Sequence, residues 1–288
     1  MAEISAALIK QLRDKTSASL SACKKALEAA DGDLELAIQK LREQGAVSAA
    51  KRADREAREG MIVTTYTPSR NAAVMVEVNC ETDFVARNDD FIKFAQAVAA
   101  LALAKRTPTI EALRAAMFEG MYDNQPVEKV AEEMVGKVGE KIEVKRIVLI
   151  EAEGGAVIDY VHPGAKLAAM VQLSGNGSDL SQIGKDLAMQ VAAASPLVIE
   201  RMAVPRESIE KEIEIYKQQA ANDGKPAQVV ERIATGKLEK YYQDVVLLEQ
   251  AFIKDNGKTV TDVLKEAGEK LGAAVEVKRF ERFQLGEK

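Results

Sequence analysis

The sequence has 288 residues, of which 47% are hydrophobic and 30% are charged, and its formal net charge is −5 at pH 7. This length allows two or three domains, and the composition is that of folded globular protein rather than of a disordered chain. The acidic balance and an aromatic content of 5% argue against a protein that wraps phosphate backbones or stacks on bases, so no direct nucleic-acid partner is expected.

Targeting signals and metal-site patterns are not evident. No apolar run approaches the roughly 20 residues of a membrane span, and the N-terminus lacks the basic-then-apolar order of a signal peptide. We therefore expect a cytoplasmic protein without a membrane partner. The two cysteines, Cys23 and Cys80, lie far apart, which indicates free thiols. With a single histidine, His162, they do not make an ordinary zinc site, and no cofactor is expected.

The first 45 residues predict three short helices, each with an apolar stripe at helical spacing. The stripes are Ile4, Leu8, Ile9 and Leu12; Leu20, Cys23 and Leu27; and Leu34, Ala37, Ile38 and Leu41. Asp31-Gly32 should end the second helix, Asp33 should cap the third, and Gly45 should end it. Such a bundle resembles a ubiquitin-associated domain, and the alanine-rich segment 46–59 is a helical or flexible linker.

From Gly60 onward the pattern becomes strand-like and predicts a β-hairpin. Residues 61–66 and 73–78 are its strands, and 68–71 form the turn. A helix follows, with one apolar face made by Phe91, Phe94, Ala95, Val98 and Ala102. Residues 141–148 then predict a returning strand. The unit is therefore two strands, a helical part and a third strand.

The same order recurs in the second half of the chain. It comprises strands 156–160 and 166–173 with a turn at 162–164, a helix over 180–194 and a returning strand over 274–280. Both returning strands contain Glu-Val-Lys-Arg, at 143–146 and 276–279. We interpret this pattern as a duplicated α+β unit.

The second copy also contains an insertion. Tyr66 and Tyr160 are 94 positions apart whereas Lys145 and Lys278 are 133 apart, so the second copy is longer by 39 residues. The surplus shows a 4-3-4 apolar spacing typical of a coiled coil, at Ile209, Ile213, Tyr216 and Ala220. After a turn at 222–226, a second helix carries Val229, Val230 and Ile233. This antiparallel helical hairpin is either a dimerisation arm or a flap that covers its own core.

These patterns predict an α+β protein with four parts. Residues 1–54 form the N-terminal three-helix module and linker, and residues 55–150 form the first core subdomain. Residues 151–205 and 241–288 form the second core subdomain, and residues 206–240 form the inserted hairpin.

Catalytic motifs are weak in this sequence. Gly257-Lys258-Thr259 resembles part of a P-loop, but Phe252 stands where that motif needs a glycine. No Gly-x-Ser-x-Gly elbow or dinucleotide glycine fingerprint is present. We therefore expect a protein that is not an enzyme, with a hydrolase or nucleotide-binding enzyme as the rival class.

One segment, residues 79–88, joins a strand to a helix and places apolar residues directly after polar residues that can cap the helix. Thr82 or Asp83 can cap the helix, which puts Phe84 and Val85 in its first turn. Either Phe84 is tucked into the core behind an ordinary cap, or it is an apolar wedge presented beside an acidic group.

The run Thr82-Asp83-Phe84-Val85 looks like the signature motif of the elongation factor Ts family. The first module matches that family at Asp14-Lys-Thr16, Cys23-Lys-Lys-Ala-Leu27 and Asp31-Gly-Asp33. The resemblance covers essentially the whole chain. It implies an exchange factor that binds elongation factor Tu with GDP, displaces Mg²⁺ and promotes GDP release during translation elongation. If the hairpin is a dimerisation arm, a homodimer through it would give a two-plus-two complex with elongation factor Tu.

The resemblance also implies site residues. Phe84 would be the wedge and Asp83 its polar neighbour, with Thr82 and Val85 shaping the tip. Further partner contacts are implied for Leu20, Lys24 and His162. The chain departs from some relatives at Leu20-Ser21-Ala22, where Met-Met-Asp can occur, and it ends soon after Phe283 without their extra C-terminal module. Rival interpretations are a ubiquitin-like-binding adaptor, suggested by the N-terminal bundle, and a ribosome-associated adaptor.

Overall fold

The computed structural model describes residues 4–16, 18–175 and 180–287, and it combines helices with antiparallel sheets, as expected for an α+β protein. The α-helices are α1 (Ala6–Thr16), α2 (Leu20–Ala29), α3 (Leu34–Arg52), α4 (Asp83–Ala86), α5 (Asp89–Lys105), α6 (Ile110–Ala115), α7 (Val127–Val138), α8 (Ser181–Ala194), α9 (Arg206–Asn222), α10 (Ala227–Val245) and α11 (Val260–Leu271). The strands are β1 (Glu59–Tyr66), β2 (Ala72–Cys80), β3 (Glu143–Glu151), β4 (Gly155–Val161), β5 (Leu167–Ser174), β6 (Ala251–Phe252), β7 (Asp255–Thr259) and β8 (Glu276–Gln284). Within these ranges, every helix is too short or too polar to cross a membrane.

The N-terminal helices α1 to α3 pack around a small core centred on Leu12, Cys23 and Leu27. The Asp33 carboxylate caps α3 by accepting the Leu36 N–H at 2.9 Å, as predicted. Leu20 departs from the prediction, because 56% of its surface is exposed. It is the first residue of α2, directly after the Ser19 cap, and its side chain lies outside the bundle core.

Gly45 does not end the third helix, and that prediction was wrong. Helix α3 continues through it to Arg52 because Gly45 lies at a close crossing with α7. A Cβ atom added to Gly136 of α7 would lie 2.9 Å from the Gly45 Cα atom. The two glycines therefore permit backbone-to-backbone contact between the helices. Arg42 strengthens the attachment by pairing with Glu133 at 3.1 Å and with Asp123.

The predicted β-hairpin is confirmed, and it forms a three-stranded antiparallel sheet with the order β1-β2-β3. All nine residues of the central strand β2 are buried. One face is covered by α5, whose buried residues include the predicted Phe91, Phe94, Ala95, Val98 and Ala102. These side chains join Val74, Val76 and Val78 of β2 in the largest apolar cluster of the first half.

A second three-stranded antiparallel sheet has the order β4-β5-β8 and is covered by α8. The shared Glu-Val-Lys-Arg sequence has the same conformation in both sheets. In β3 the register shifts around Lys145, and in β8 it shifts around Lys278, so each lysine is the extra residue of a β-bulge.

The two sheets pack face to face through a third apolar cluster that includes Met75, Val157, Met170 and Phe283. Glu77 of β2 is fully buried at this interface. Its carboxylate accepts hydrogen bonds from Arg146 at 2.6 Å and from the Gly286 N–H at 3.3 Å. Two arginines then cross between the sheets in opposite directions: Arg146 donates to the Gln284 carbonyl at 2.8 Å and Arg279 donates to the Leu149 carbonyl at 3.5 Å.

Helices α9 and α10 form the predicted antiparallel hairpin. Ala220 and Ala234 are buried between them, and Lys217 pairs with Glu231 at 2.6 Å. Val229 lies less inside the hairpin than its helical register suggested, because 36% of its surface is exposed. At the base, Arg201 pairs with Glu239 at 2.9 Å and with Glu249 at 2.6 Å.

We predict opposite effects for two glycine-to-alanine substitutions. Gly136→Ala should lower the free energy of unfolding by about 1–3 kcal/mol, because the new methyl group overpacks the crossing with α3. Gly236→Ala, at a helical position with no atom within 4 Å of an added Cβ, should raise it by about 0.5–1 kcal/mol through helix propensity. Urea unfolding followed by circular dichroism measures both. A stabilising Gly136→Ala would show that the helices are not held in contact there.

Candidate partner-binding site

The segment after β2 turns outward and carries Phe84, the most exposed phenylalanine of the described residues. Strand β2 ends at Cys80, and α4 is a four-residue helix that begins at Asp83. Thr82 caps it, its hydroxyl oxygen accepting the Val85 N–H at 3.5 Å. Val85 packs against the apolar core, whereas 83% of the Phe84 surface is exposed. The interpretation that buries Phe84 in the core is therefore wrong.

The exposure of Phe84 follows from how α4 is seated. Val85 and Ala86 are the members of this short helix that contact the core, so the preceding side chain points away from it. A large apolar side chain held in water at a fixed position loses the free energy that burial would give. Such a residue is typical of a binding surface.

Two glutamates brace the turn that carries Phe84. The Glu140 carboxylate accepts the Thr82 N–H at 2.9 Å and the Thr82 hydroxyl at 2.6 Å. The Glu81 carboxylate accepts the Lys141 N–H at 2.7 Å and pairs with Arg55 at 3.1 Å. The Lys141 N–H, followed by Arg55, lowers the pKa of Glu81 below its ordinary value, so this carboxylate is charged at neutral pH.

Neither glutamate was singled out from the sequence. Glu81 is adjacent to the signature run, and that position is the only sequence signal for it. Glu140 is 58 positions away from Thr82, and a single sequence contains no signal that connects them. Beneath the turn, burial and the nearby Glu140 charge raise the pKa of the Cys80 thiol to about 12. This thiol is therefore un-ionised at neutral pH and unreactive as a nucleophile.

Asp83 lies in the first turn of α4 and remains accessible. Its carboxylate pairs with Arg87, four residues on, at 2.8 Å, and 41% of its side chain is exposed. An exposed pair of this kind contributes little to stability. The pair can therefore open at small cost, and Asp83 can present its charge next to Phe84.

His162 is exposed in the turn between β4 and β5, and its Nδ1 atom is 2.9 Å from the Tyr160 hydroxyl. The same turn is bonded to β1, because the Ala165 carbonyl accepts the Ile62 N–H at 2.7 Å, and Lys166 pairs with Glu59 at the start of that strand at 2.6 Å. Glu59 faces Cys80 across the β1–β2 pair. The structure therefore attaches the His162 turn to the end of the hairpin from which the Phe84 turn emerges.

Leu20 and Lys24 lie on α2, in the N-terminal module. Both are exposed, and Lys24 forms only a loose pair with Glu28 at 3.8 Å. The module is joined to the core through the α3–α7 crossing. A second junction is near the Phe84 turn, where the Lys141 ammonium donates to the carbonyl groups of Ala53 at 2.7 Å and Arg55 at 3.0 Å.

Across the described ranges, no cluster of three or more His, Cys, Asp or Glu side chains is arranged to hold a metal ion. What the site does present is an exposed aromatic ring on a braced turn, with a carboxylate beside it and a second exposed turn attached nearby. These features define a protein that acts by docking on another protein.

Comparison with known proteins gives the family. The family model described as Elongation factor TS matches residues 81–287. The chain is 54% identical to elongation factor Ts of Chloroherpeton thalassium over 289 aligned residues, which cover all of both chains. It is 50% identical to elongation factor Ts of Prosthecochloris aestuarii, with 99% of this chain and all of the relative covered. The chain belongs to the elongation factor Ts family, and it is a nucleotide exchange factor of translation elongation.

We predict that Phe84→Ala leaves the stability of the protein almost unchanged, within about 0.5 kcal/mol, because the removed ring contacts mainly water. Phe94→Ala is the matched control, since Phe94 is fully buried under the first sheet. That variant should lose about 3–5 kcal/mol of unfolding free energy. Thermal or urea unfolding of the two variants measures the difference. Equal losses would mean that Phe84 is part of the core in solution.

Proposed function

We propose that this chain binds elongation factor Tu in its GDP-bound form, displaces Mg²⁺ from that protein and so promotes GDP release, after which GTP can rebind. The observation that carries the proposal is the exposure of Phe84 on a turn braced by Glu140. The ring acts as a wedge that enters an apolar pocket of elongation factor Tu. It moves the elements that hold Mg²⁺, and the phosphates of GDP are then held less firmly.

The roles of the other tip residues follow from their positions. Asp83 brings a negative charge beside the wedge, where it disturbs the surroundings of the cation. Thr82 and Val85 fix the turn, one through its hydrogen bonds and the other through its core contact. His162 supplies a second contact from the neighbouring turn. Leu20 and Lys24 supply a third from the N-terminal module.

The thermodynamics of exchange need no bond-making group in this chain. An exchange factor binds the nucleotide-free partner more tightly than the GDP-bound partner, and GDP must then weaken its binding by the same factor. The factor therefore speeds the approach to equilibrium without driving it. Which nucleotide rebinds depends on the nucleotide concentrations.

We propose the same modular organisation for this function that the sequence predicts. The three-helix module resembling a ubiquitin-associated domain, residues 1–54, docks on the partner. Residues 55–150 carry the wedge, and residues 151–205 with 241–288 carry His162. The matching bulges at Lys145 and Lys278 support descent of the two core subdomains from one duplicated unit. The hairpin, residues 206–240, is a dimerisation arm in a two-plus-two complex, and its outward Ile215 and Val229 support that role.

The deciding experiment is GDP release from purified elongation factor Tu, followed with a fluorescent GDP analogue. The protein should accelerate release. Phe84→Ala should reduce the stimulated rate about 5- to 150-fold, the range that corresponds to a loss of about 1–3 kcal/mol at an interface hot spot. Met202→Ala is the matched control, because 93% of Met202 is exposed in the 3-10 turn Arg201–Ala203 just before the hairpin.

The control variant should retain the stimulated rate. Binding to elongation factor Tu without faster GDP release would instead favour an adaptor. Loss of exchange in Met202→Ala and not in Phe84→Ala would show that the contact surface lies at the hairpin base instead.

A shortened hairpin tests the arm. Replacing residues 214–236 with a short Gly-Ser linker keeps the base contacts of Arg201 with Glu239 and Glu249. We expect a core that still unfolds cooperatively, less self-association, and some remaining exchange activity. Analytical ultracentrifugation and thermal unfolding measure the first two. Loss of cooperative unfolding would show that the helices cover the core as a flap.

A further inference from the structure

The helix that carries Phe84 is too short to orient itself. Helix α4 has four residues, and an isolated helix of that length is unstable in water. Its direction must therefore come from tertiary contacts. Val85 and Ala86 supply contacts with the core, but Phe84 itself is 83% exposed and contributes almost no packing that would hold the turn.

Glu140 supplies a polar restraint on this turn. Gly139 ends α7 in a left-handed conformation with φ of 76°, and Glu140 follows it before β3. The half-buried Glu140 carboxylate accepts both polar hydrogens of Thr82, at 2.9 Å from N and 2.6 Å from Oγ1. This bidentate contact fixes the rotamer of the Thr82 hydroxyl, and the hydroxyl oxygen in turn caps the Val85 N–H. Charged acceptors make such bonds about twice as strong as neutral ones.

A second contact, between Glu81 and Lys141, mirrors the contact between Glu140 and Thr82. Glu81 accepts the N–H of Lys141 at 2.7 Å, just as Glu140 accepts the N–H of Thr82. Each strand of chain thus supplies one carboxylate and one backbone donor to the other. These bonds continue the antiparallel β2–β3 register, in which Asn79 faces Glu143, and they align residues 81–82 with residues 140–141.

We propose that Glu140 is a positioning residue for exchange: it holds Phe84 in the direction in which the ring enters elongation factor Tu. This rests on the proposed function of Phe84 as a wedge. Without the Glu140 carboxylate, Thr82 would bond to water, the cap of α4 would loosen, and the ring would sample many directions. Binding would then have to order the turn at the moment of contact, which weakens the complex.

The first test is independent of the partner. In Glu140→Ala, ¹⁵N relaxation of the free protein should show increased motion confined to residues 82–87, and the Thr82 amide should lose its hydrogen-exchange protection. Glu140→Gln retains one acceptor oxygen, so the motion of its turn should lie between that of the parent and that of Glu140→Ala. An Ala variant whose turn is as rigid as the parent would overturn the positioning role.

The second test is a double-mutant cycle on stimulated GDP release. Glu140→Ala should lower the rate about tenfold, equivalent to 1.4 kcal/mol, with Glu140→Gln intermediate. In a Phe84→Ala background, Glu140→Ala should have a much smaller effect, because the ring is gone and only the Asp83 carboxylate is left to be misplaced. Glu153→Ala, at an exposed glutamate in the turn before β4, is the control and should leave the rate unchanged. Rates are compared per folded molecule, with the folded fraction taken from thermal unfolding.

The outcomes separate the two hypotheses. If Phe84→Ala leaves exchange unchanged, the wedge function fails, whatever Glu140 does to the mobility of the turn. If Phe84→Ala slows exchange and Glu140→Ala does not, the wedge stands and the positioning role is overturned. Additive losses would also overturn it, because Glu140 would then act through something other than Phe84.

Discussion

The structure depends on one strand that is buried on both of its faces. Strand β2 presents Val74, Val76 and Val78 to the helices and Ala73 and Met75 to the second sheet. Because successive side chains of a strand point to opposite faces, one nine-residue segment can serve two apolar cores. Burial on both sides leaves this strand little freedom to shift or slip, and it fixes the position of whatever follows its end.

A buried charge is part of this arrangement. Glu77 points into the interface between the sheets, where Arg146, Lys145 and the Gly286 N–H surround its carboxylate. A buried ion pair often adds little net stability, since desolvation of the charges offsets their attraction. It is demanding in geometry, however, because the fully buried Glu77 carboxylate needs Arg146 and Lys145 to stay beside it. We therefore regard Glu77 as a device that selects one alignment of the two sheets over others.

The buried strand β2 and the exposed turn that follows it are parts of one connected arrangement. Strand β2 runs from the interface of the sheets directly into the turn at Thr82, and Glu140 and Glu81 tie that turn to the junction of α7 and β3. The N-terminal module joins the same region through Lys141 and the α3–α7 crossing. The Phe84 turn, the His162 turn and the N-terminal helices are thus all attached to elements that have few ways to move. Contacts made by such surfaces lose little entropy on binding.

Local sequence patterns predicted the helices, the strands and their order. Periodic apolar positions predicted the hairpin of β1 and β2, the buried face of α5, the repeated unit and the helical arm, because these patterns depend on neighbours a few residues away. The signature run from Thr82 to Val85 indicated the candidate site. Whether Gly45 ends a helix, in which direction Phe84 points and which residue Glu140 contacts all depend on the tertiary structure. A glycine can end a helix or let another helix approach, and which occurs depends on a partner such as Gly136 that lies far along the chain.

The same reason applies to the site. An apolar residue at the start of a helix can point into the core or into water, and Phe84 points outward because Val85 and the Glu140–Thr82 contact fix the short helix in that orientation. That contact joins residues 58 positions apart, and the antiparallel pairing of β2 with β3, in which Asn79 faces Glu143, brings them together. The local pattern therefore drew attention to Phe84, and long-range packing decided in which direction its side chain points.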